Sequence, residues 1–516
     1  MLTELLIGIA IMVICLLYVI ISLDDINSPP TVPGHFLMGI IPQINKEFHL
    51  MLFEFSRQYG NIFRIHMGMQ TMVVISDADL IRQAFRSRHV TARPQNDFST
   101  LLNGFGIINS QGDLWKSNRR FMVQHRMGMK YWGSGMEMAG KRIEYEGSRL
   151  LEIVSREFGL NPSNPEEVLN SCVANVICSI IMSVRFHHKD ERFKDFMNNF
   201  DEGFRLFNKT GASLFFPFVK LLPGTRSTYN KLKENREIMR AFAREIIDKH
   251  RKNLDPENPK DLIDHYLVKM EESKEVADQL FHGYDPQEQL EQVLLDLFSA
   301  GVETIKVSLL WSIVFLTHNP DVQRKVQAEL DSVIGSERMV TLDDLPQLTY
   351  TKATIYETLR RSSVVPLGTT HVTTRCIQLN GYTIPKNTQV IPLLHAVHMN
   401  PDKWDEPEAF RPERFLSADG SKIVKPDNFM PFSVGQRMCL GDHLAEKEFT
   451  FFFASLYHAF NIRSAKGQDL PSMDIHAGAT VRPSEFKVQF IPRQNGALEH
   501  ARRNVMESEV PFQFLD

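Results

Sequence analysis

Residues 432–441 read Phe-Ser-Val-Gly-Gln-Arg-Met-Cys-Leu-Gly, and a helical stretch follows them. This spacing constrains the chain more than any other feature. Cys439 stands alone after a glycine turn, with Arg437 two residues before it and Gly441 two after. No second cysteine sits at zinc or iron–sulfur spacing. A lone thiolate can still hold one metal, the iron of a haem, and it pushes electron density onto that iron in a way that favours O–O cleavage. Cys439 is therefore expected to be the axial ligand. Gly435 and Gly441 permit φ > 0 and a close backbone approach to a flat macrocycle. Arg437 can fork onto a propionate, and the apolar Phe432 opens the loop on the cofactor. The helix that follows aims its positive end at the sulfur. A buried structural cysteine is the usual reading of an isolated thiol; the full ten-residue spacing argues against it here.

These ten residues match the cysteine loop of the cytochrome P-450 haem-thiolate monooxygenases at every fixed position, and Leu444, Ala445 and Glu448 fit the helix that usually follows it. The resemblance implies a mainly α fold with small β-sheets: a single large catalytic domain behind an N-terminal transmembrane helix. It implies haem b as cofactor. The chain carries no nicotinamide or flavin fingerprint, so electrons are expected from NADPH through a separate flavoprotein reductase.

Bulk properties fit that picture. At 516 residues the chain exceeds what one core usually holds. Yet no Gly/Ser-rich or charged linker divides it and no repeat appears, so one large domain is expected. A net charge of −4 gives no electrostatic case for nucleic acid. The five cysteines are odd in number and scattered, which argues against a disulfide framework. Cys172 and Cys178, in an apolar run, read as inert core. From Leu5 to Leu23 the chain is almost wholly apolar, about the length needed to cross a bilayer core of ~30 Å as a helix. No basic residue precedes that run and no small-residue cleavage site follows it, so an uncleaved anchor is expected. Pro29, Pro30, Pro33 and Gly34 stiffen the next stretch. The division expected is an anchor over 1–23, a proline-rich hinge over 24–45, the catalytic domain over 46–493 and a polar, loosely ordered tail over 494–516. The resemblance implies an endoplasmic reticulum membrane protein with its catalytic domain on the cytosolic face.

Helical runs dominate from residue 46 on, with strand-like pieces at Met67–Ile75 and near Gln378–Ile391. The stretch Leu214–Pro223 is apolar and broken by prolines; it reads equally as core or as a segment dipping into the membrane. Asp285-Pro286-Gln287-Glu288 is a helix start, with a capping aspartate, proline at the first position and glutamate three residues on. The helix it opens is apolar on most sides and is expected to end before Asn319-Pro320.

Inside that helix lies Ala300-Gly301-Val302-Glu303-Thr304, similar to the family's oxygen-activation motif. A threonine hydroxyl can bond back to the carbonyl four residues earlier and loosen the helix. Gly301 is expected to leave room above the haem. Glu303 and Thr304 form a carboxylate–hydroxyl pair suited to a short proton relay. Glu357-Thr358-Leu359-Arg360 resembles the family's E-x-x-R, and Arg414, in Phe-Arg-Pro-Glu-Arg-Phe over 410–415, would complete a structural triad of Glu357, Arg360 and Arg414. Trp115 and Arg119, four apart, resemble a propionate-binding pair, and His371 falls where relatives place another. The pair His395 and His398 reads as part of a turn before Trp404, with no metal.

Several stretches resemble one branch, the insect ecdysteroid 26-hydroxylases: 300–306, 360–371, 380–385 and 437–442. Hydroxylation of 20-hydroxyecdysone on its side chain is the function implied, leading to hormone inactivation. Ecdysteroid 25-hydroxylation, broad xenobiotic oxidation, and, in another class, a haem sensor or sterol-binding protein remain as alternatives. NADPH–cytochrome P-450 reductase and cytochrome b5 are the implied partners, with Lys422, Lys425 and Lys447 as cations to meet the reductase.

Overall fold

The computed structural model describes residues 27–44, 47–68, 70–95, 97–124, 134–209, 215–216, 223–272, 274–507 and 513–514. The expected anchor and most of the 214–223 segment lie outside them. Among the described residues no helix is long and apolar enough to cross a membrane.

The fold is mainly helical with small sheets. The main helices are α1 (Phe48–Tyr59), α2 (Ala78–Arg86), α3 (Gly112–Gln124), α4 (Ser134–Ile153), α5 (Glu166–Met182), α6 (Glu191–Lys209), α7 (Pro223–Lys252), α8 (Leu262–Glu271), α9 (Pro286–His318), α10 (Pro320–Ile334), α11 (Thr349–Ser362), α12 (Asp442–Ala459) and α13 (Ala497–Glu507). One sheet has four strands: β1 (Ile62–Met67), β2 (Gln70–Ile75), β3 (His371–Val372) and β4 (Gln389–Pro392), in the order β1-β2-β4-β3. The first two form an antiparallel hairpin with Ile62 opposite Ile75. The strand-like signal at Met67–Ile75 corresponds to the end of β1, the turn and β2. The rest of β1 carries Arg64 and His66 at half-exposed positions, which broke its apolar run. Parallel pairing of Val73 with Val390 ties the N-terminal part of the chain to a strand some 300 residues on and sets His371 beside it, opposite Val390.

The helix α9 organises the interior. Asp285 caps it, accepting from the Glu288 amide at 2.8 Å, and Pro286 occupies the first turn. The Glu288 side chain pairs with Arg240 at 3.3 Å instead of reaching back to the cap. The helix ends at His318, as Asn319-Pro320 dictates. It is buried along most of its length, and Trp311 fixes it to the C-terminal region by donating to the Val481 carbonyl at 2.9 Å. Accessibility returns at Ala300, which is exposed, and at Gly301 and Thr304, which are half-buried. Positions i and i+4 share a face, so the helix opens onto internal space at this turn.

Gly301 does not supply that room. A Cβ there would sit 2.7 Å from Ile177 Cδ1, so the glycine lets α5 pack closely against α9. Part of the expected loose tail is likewise ordered. Helix α13 lies on α4 with Ala497 and Ala501 fully buried, and these small residues at i and i+4 let the two helices approach. Cys172 and Cys178 are buried, and burial pushes both thiols up, consistent with inert core positions.

Replacing Asp285 by alanine removes the cap of α9 and should lower stability by about 1 kcal/mol; urea unfolding measures it, and an unchanged midpoint refutes the capping role.

Candidate active site

The cysteine loop takes its shape from backbone contacts. The Cys439 amide donates to the Phe432 carbonyl at 3.0 Å and Met438 N to Gly435 O at 3.2 Å. Gly435 has φ +83°, and a Cβ there would land on the Phe85 carbonyl at the end of α2. The glycine is thus required by a left-handed backbone and by contact with α2. Gly441 differs from expectation. Its φ is −101°, and a side chain there would meet nothing within 4 Å. Its contribution is its amide, which donates to the Cys439 sulfur just before α12 begins at Asp442. The sulfur itself is open to internal space. Burial pushes the thiol up to about 11, with Asp442 adding to the rise; the Gly441 amide and Arg119 oppose it.

Cations gather beside this thiol. Arg119, on α3, donates to the Met438 carbonyl at 2.9 Å. Arg437 stacks on Trp115, its guanidinium carbon 3.8 Å from the ring centroid, and donates to the carbonyls of Thr91 (2.9 Å) and Ser110 (2.6 Å). Arg93, which no sequence motif singled out, is buried and donates to Ile108 O and Thr370 O, both at 2.9 Å. Burial, then Arg93 and Arg119, pull Arg437 down to about 8; burial, then Arg119, pull Arg93 to about 10. No carboxylate offsets either shift. His371 is buried against Phe85 with ring centroids 3.9 Å apart, and burial, followed by Arg93 and Arg437, holds it well below its usual value. Neither of its ring nitrogens makes a hydrogen bond of normal geometry within the protein. Buried cations without anions and an unsatisfied imidazole are costly. A thiol flanked by such a cluster suits a ligand that pairs a metal with two carboxylates, as haem b does. The residues fit the group: Cys439 for the iron, and Arg93, Arg119, Arg437, Trp115 and His371 around the propionates.

The triad residues meet. Arg360 donates from Nε and Nη2 to the two oxygens of Glu357 at 2.7 and 2.8 Å, all fully buried, and Arg414 Nε lies 3.3 Å from the same carboxylate. The Arg411 amide donates to it as well, at 2.8 Å. Arg360 also donates to the carbonyls of His398 (2.9 Å) and Pro407 (2.8 Å). From His398 the connection continues to the loop, because the Met430 amide donates to His398 Nε2 at 3.2 Å. Burial drives His398 down to about 3, so its ring is neutral. Nε2 accepts, so Nδ1 carries the proton and donates to Ser363 Oγ, 3.1 Å away. The sequence signals of His398 pointed only to a turn.

The turn 300–304 of α9 carries the acid and the alcohol. Thr304 Oγ1 donates to the Ala300 carbonyl at 2.7 Å, the back-bond its spacing predicts. Glu303 accepts from Thr480 Oγ1 at 2.9 Å and pairs with Lys306 at 2.7 Å. A clamp fixes the facing loop to the same helix. Gly106 N donates to Gln289 Oε1 at 2.9 Å, and the Ile107 and Ile108 amides donate to Asp296 Oδ2 at 2.7 and 2.9 Å. Phe298, on the same helix, is fully buried against Phe196 and Phe200.

A family model described as Cytochrome P450 matches residues 29–490. The chain is 44% identical to Cytochrome P450 18a1 of Drosophila melanogaster over 92% of its own length and 90% of that protein's. It is 33% identical to Cytochrome P450 2J5 of Mus musculus over 90% and 92%, and 32% identical to Cytochrome P450 2C8 of Homo sapiens over 90% and 93%.

Replacing Arg360 by alanine strands the Glu357 charge in the core and should cost about 3–5 kcal/mol. Denaturant unfolding checks this, and a loss below about 1 kcal/mol would contradict a buried, coupled triad.

Proposed function

The chain belongs to the cytochrome P450 family, and we propose that within it this enzyme hydroxylates the side chain of an ecdysteroid, oxidising 20-hydroxyecdysone at C26 and so inactivating it. As a family member it is a haem-dependent monooxygenase that draws electrons from NADPH through a separate reductase. Haem b, when bound, activates dioxygen and delivers one of its oxygen atoms to an apolar C–H bond, the other leaving as water. The residues supply the rest. Cys439 would hold the iron as a thiolate, since a metal-coordinating thiol is deprotonated. The Gly441 amide and the start of α12 stabilise the resulting anion. Arg93, Arg119, Arg437, Trp115 and His371 hold the carboxylates of the cofactor. Thr304 Oγ1 and the Glu303 carboxylate exchange protons on the open turn of α9, where apolar neighbours hold back bulk water.

The pairing of a thiol-bearing loop with an acid–alcohol turn carries the monooxygenase chemistry; a haem sensor or binding protein has no use for the second. The ecdysteroid assignment rests on the stretches at 300–306, 360–371, 380–385 and 437–442. The chain is also more similar to the Drosophila relative than to the two mammalian ones. The apolar run 5–23 serves as anchor in the endoplasmic reticulum membrane. NADPH–cytochrome P-450 reductase is the electron donor, with cytochrome b5 as a second partner. Of the cations expected at the reductase surface, Lys425 is paired with Glu446 at 3.2 Å, while Lys422 is exposed.

Mass spectrometry of products from 20-hydroxyecdysone with reconstituted reductase should show addition of one oxygen at C26. A product at C25, or turnover of plant toxins with none of the ecdysteroid, overturns the substrate assignment. Cys439→Ala should abolish the spectrum of thiolate-ligated haem under carbon monoxide. Thr304→Ala should keep that spectrum but divert electrons to hydrogen peroxide; tight coupling in this variant would refute the relay.

A further inference from the structure

Beside the four-stranded sheet lies an open cleft of about 1380 Å³ whose walls come from distant parts of the chain. Six Lys or Arg side chains line it (Arg64, Arg88, Arg93, Lys116, Arg375 and Lys386), and among the described residues no Asp or Glu does. The whole chain holds 62 acids and 58 bases, so a wall of one sign is not what its composition produces. Three of the six are already engaged. Arg93 belongs to the cluster around Arg437, Arg64 donates from Nε and Nη2 to Thr31 Oγ1 at 2.9 and 2.8 Å, and Lys116 pairs with Asp113 at 3.0 Å. Arg88, Arg375 and Lys386 are exposed and make no ion pair among the described residues. Their backbones are held together. The Thr374 amide donates to His89 O at 2.8 Å and the Val372 amide to Ala92 O at 2.9 Å, which joins the segment carrying Arg88 to the one carrying Arg375. The Asn387 amide donates to Thr373 O at 2.8 Å and the Thr388 amide to Thr373 Oγ1 at 2.9 Å, which fixes the turn carrying Lys386 to the same segment. Like charges gathered on one fixed wall repel one another, so the arrangement favours an anion that they share.

We propose that this cleft binds a terminal phosphate group through Arg88, Arg375 and Lys386, carried by the headgroup of an acidic phospholipid or by a soluble ligand. Such a phosphate offers up to two charges and three acceptor oxygens, which suits two guanidinium forks and an ammonium. The site is separate from the haem cluster: Cys439, Trp115, Arg119, Arg437 and His371 are not on its wall. The lip of the cleft favours the lipid source. Ser28 and Pro29 form part of it, and hydrogen bonds from the Thr383 amide to Asn27 O and from the Arg64 amide to Pro30 O, both at 2.7 Å, hold the chain there. Asn27 follows Leu23 by four residues, which span at most about 14 Å. With the run 5–23 as membrane anchor, the cleft lies within reach of the headgroups, where cations attract acidic lipids. The preference for lipid rests on that reading of 5–23; the phosphate site does not.

The test uses the full-length, haem-loaded protein in neutral detergent and isothermal titration calorimetry with three probes: inorganic phosphate, dihexanoylphosphatidic acid and, as control, dihexanoylphosphatidylcholine. Phosphatidic acid should bind one to one, and phosphatidylcholine should not bind. In Arg88→Gln/Arg375→Gln/Lys386→Gln the affinity should fall about tenfold or more. Arg463→Gln/Lys466→Gln/Lys487→Gln removes the same charge from exposed residues off the cleft and should bind like the parent. Should the cleft variant not accumulate, Lys386→Glu alone reverses one charge and should weaken binding by a similar factor. Inorganic phosphate binding as tightly as phosphatidic acid supports the site with a soluble ligand as its source; tighter binding of the lipid supports the headgroup. An anchor other than 5–23 would leave either result in detergent unchanged. No binding of the two phosphate probes, or an equal loss in both triple variants, overturns the proposal. So does a cleft variant that binds phosphate normally but raises the KM for reductase, since its cations would then serve an acidic protein.

Discussion

A guanidinium shut off from solvent must use its donors on protein, and Arg360 does so on Glu357, His398 and Pro407. Much of the catalytic half depends on that arrangement. Glu357 sits on α11 and takes a second arginine and the Arg411 amide from the segment after Trp404. His398 passes the constraint to Met430, where the approach to the cysteine loop begins. The pair adds little net stability over an apolar substitute, because desolvation offsets most of its Coulomb gain. Its effect is geometric: few other packings of these segments satisfy every buried donor and acceptor at once.

The same rule, applied to unbalanced charge, explains the site. Burial depresses Arg93, Arg119 and Arg437; Arg119 adds to the fall at the other two and Arg93 to that at Arg437, and burial holds His371 neutral beside them. The protein alone leaves this cluster under-compensated and leaves the Cys439 thiol protonated. Binding a metal that carries two carboxylates answers both conditions. Cys439 would hold such a metal as a thiolate, and Arg93, Arg119 and Arg437 would meet its carboxylates. Binding energy and electronic tuning come from one constellation.

Local signals made much of this legible. A helix cap and an i to i+4 back-bond are settled within a few residues, so Asp285 and Thr304 could be assigned from spacing, whereas Glu357 with Arg360 needed the resemblance because that spacing is common on surface helices. Arg414 and the ten-residue loop needed the resemblance as well. Groups whose role depends on what the fold brings opposite them were not legible. Lys306 and Asp296 carried no local signal of their partners, and His398 read as part of a turn. The two glycine errors have the same source. Gly301 faces Ile177 of α5, and Gly441 acts through its amide; neither follows from glycine's conformational freedom alone. The order in α13 was missed because a short polar helix owes its stability to the surface it lies on.

Helix α9 carries both the clamp on the 106–108 loop and the acid–alcohol turn. Its N-terminal half grips the loop at 106–108 through Gln289 and Asp296, with two bonds between Gln289 and the Gly106 backbone and two from amides to Asp296. Two turns on, the same helix presents Ala300, Glu303 and Thr304. Asp296 is fully enclosed; burial pushes its carboxyl up, while the amides of Ile107 and Ile108 hold it back. Releasing that loop would expose a buried acid and leave amides unpaired, so the loop is held to the helix by more than packing. Displacing the loop would therefore break hydrogen bonds to the helix that also carries Ala300, Glu303 and Thr304, whose turn the Thr304 back-bond already loosens.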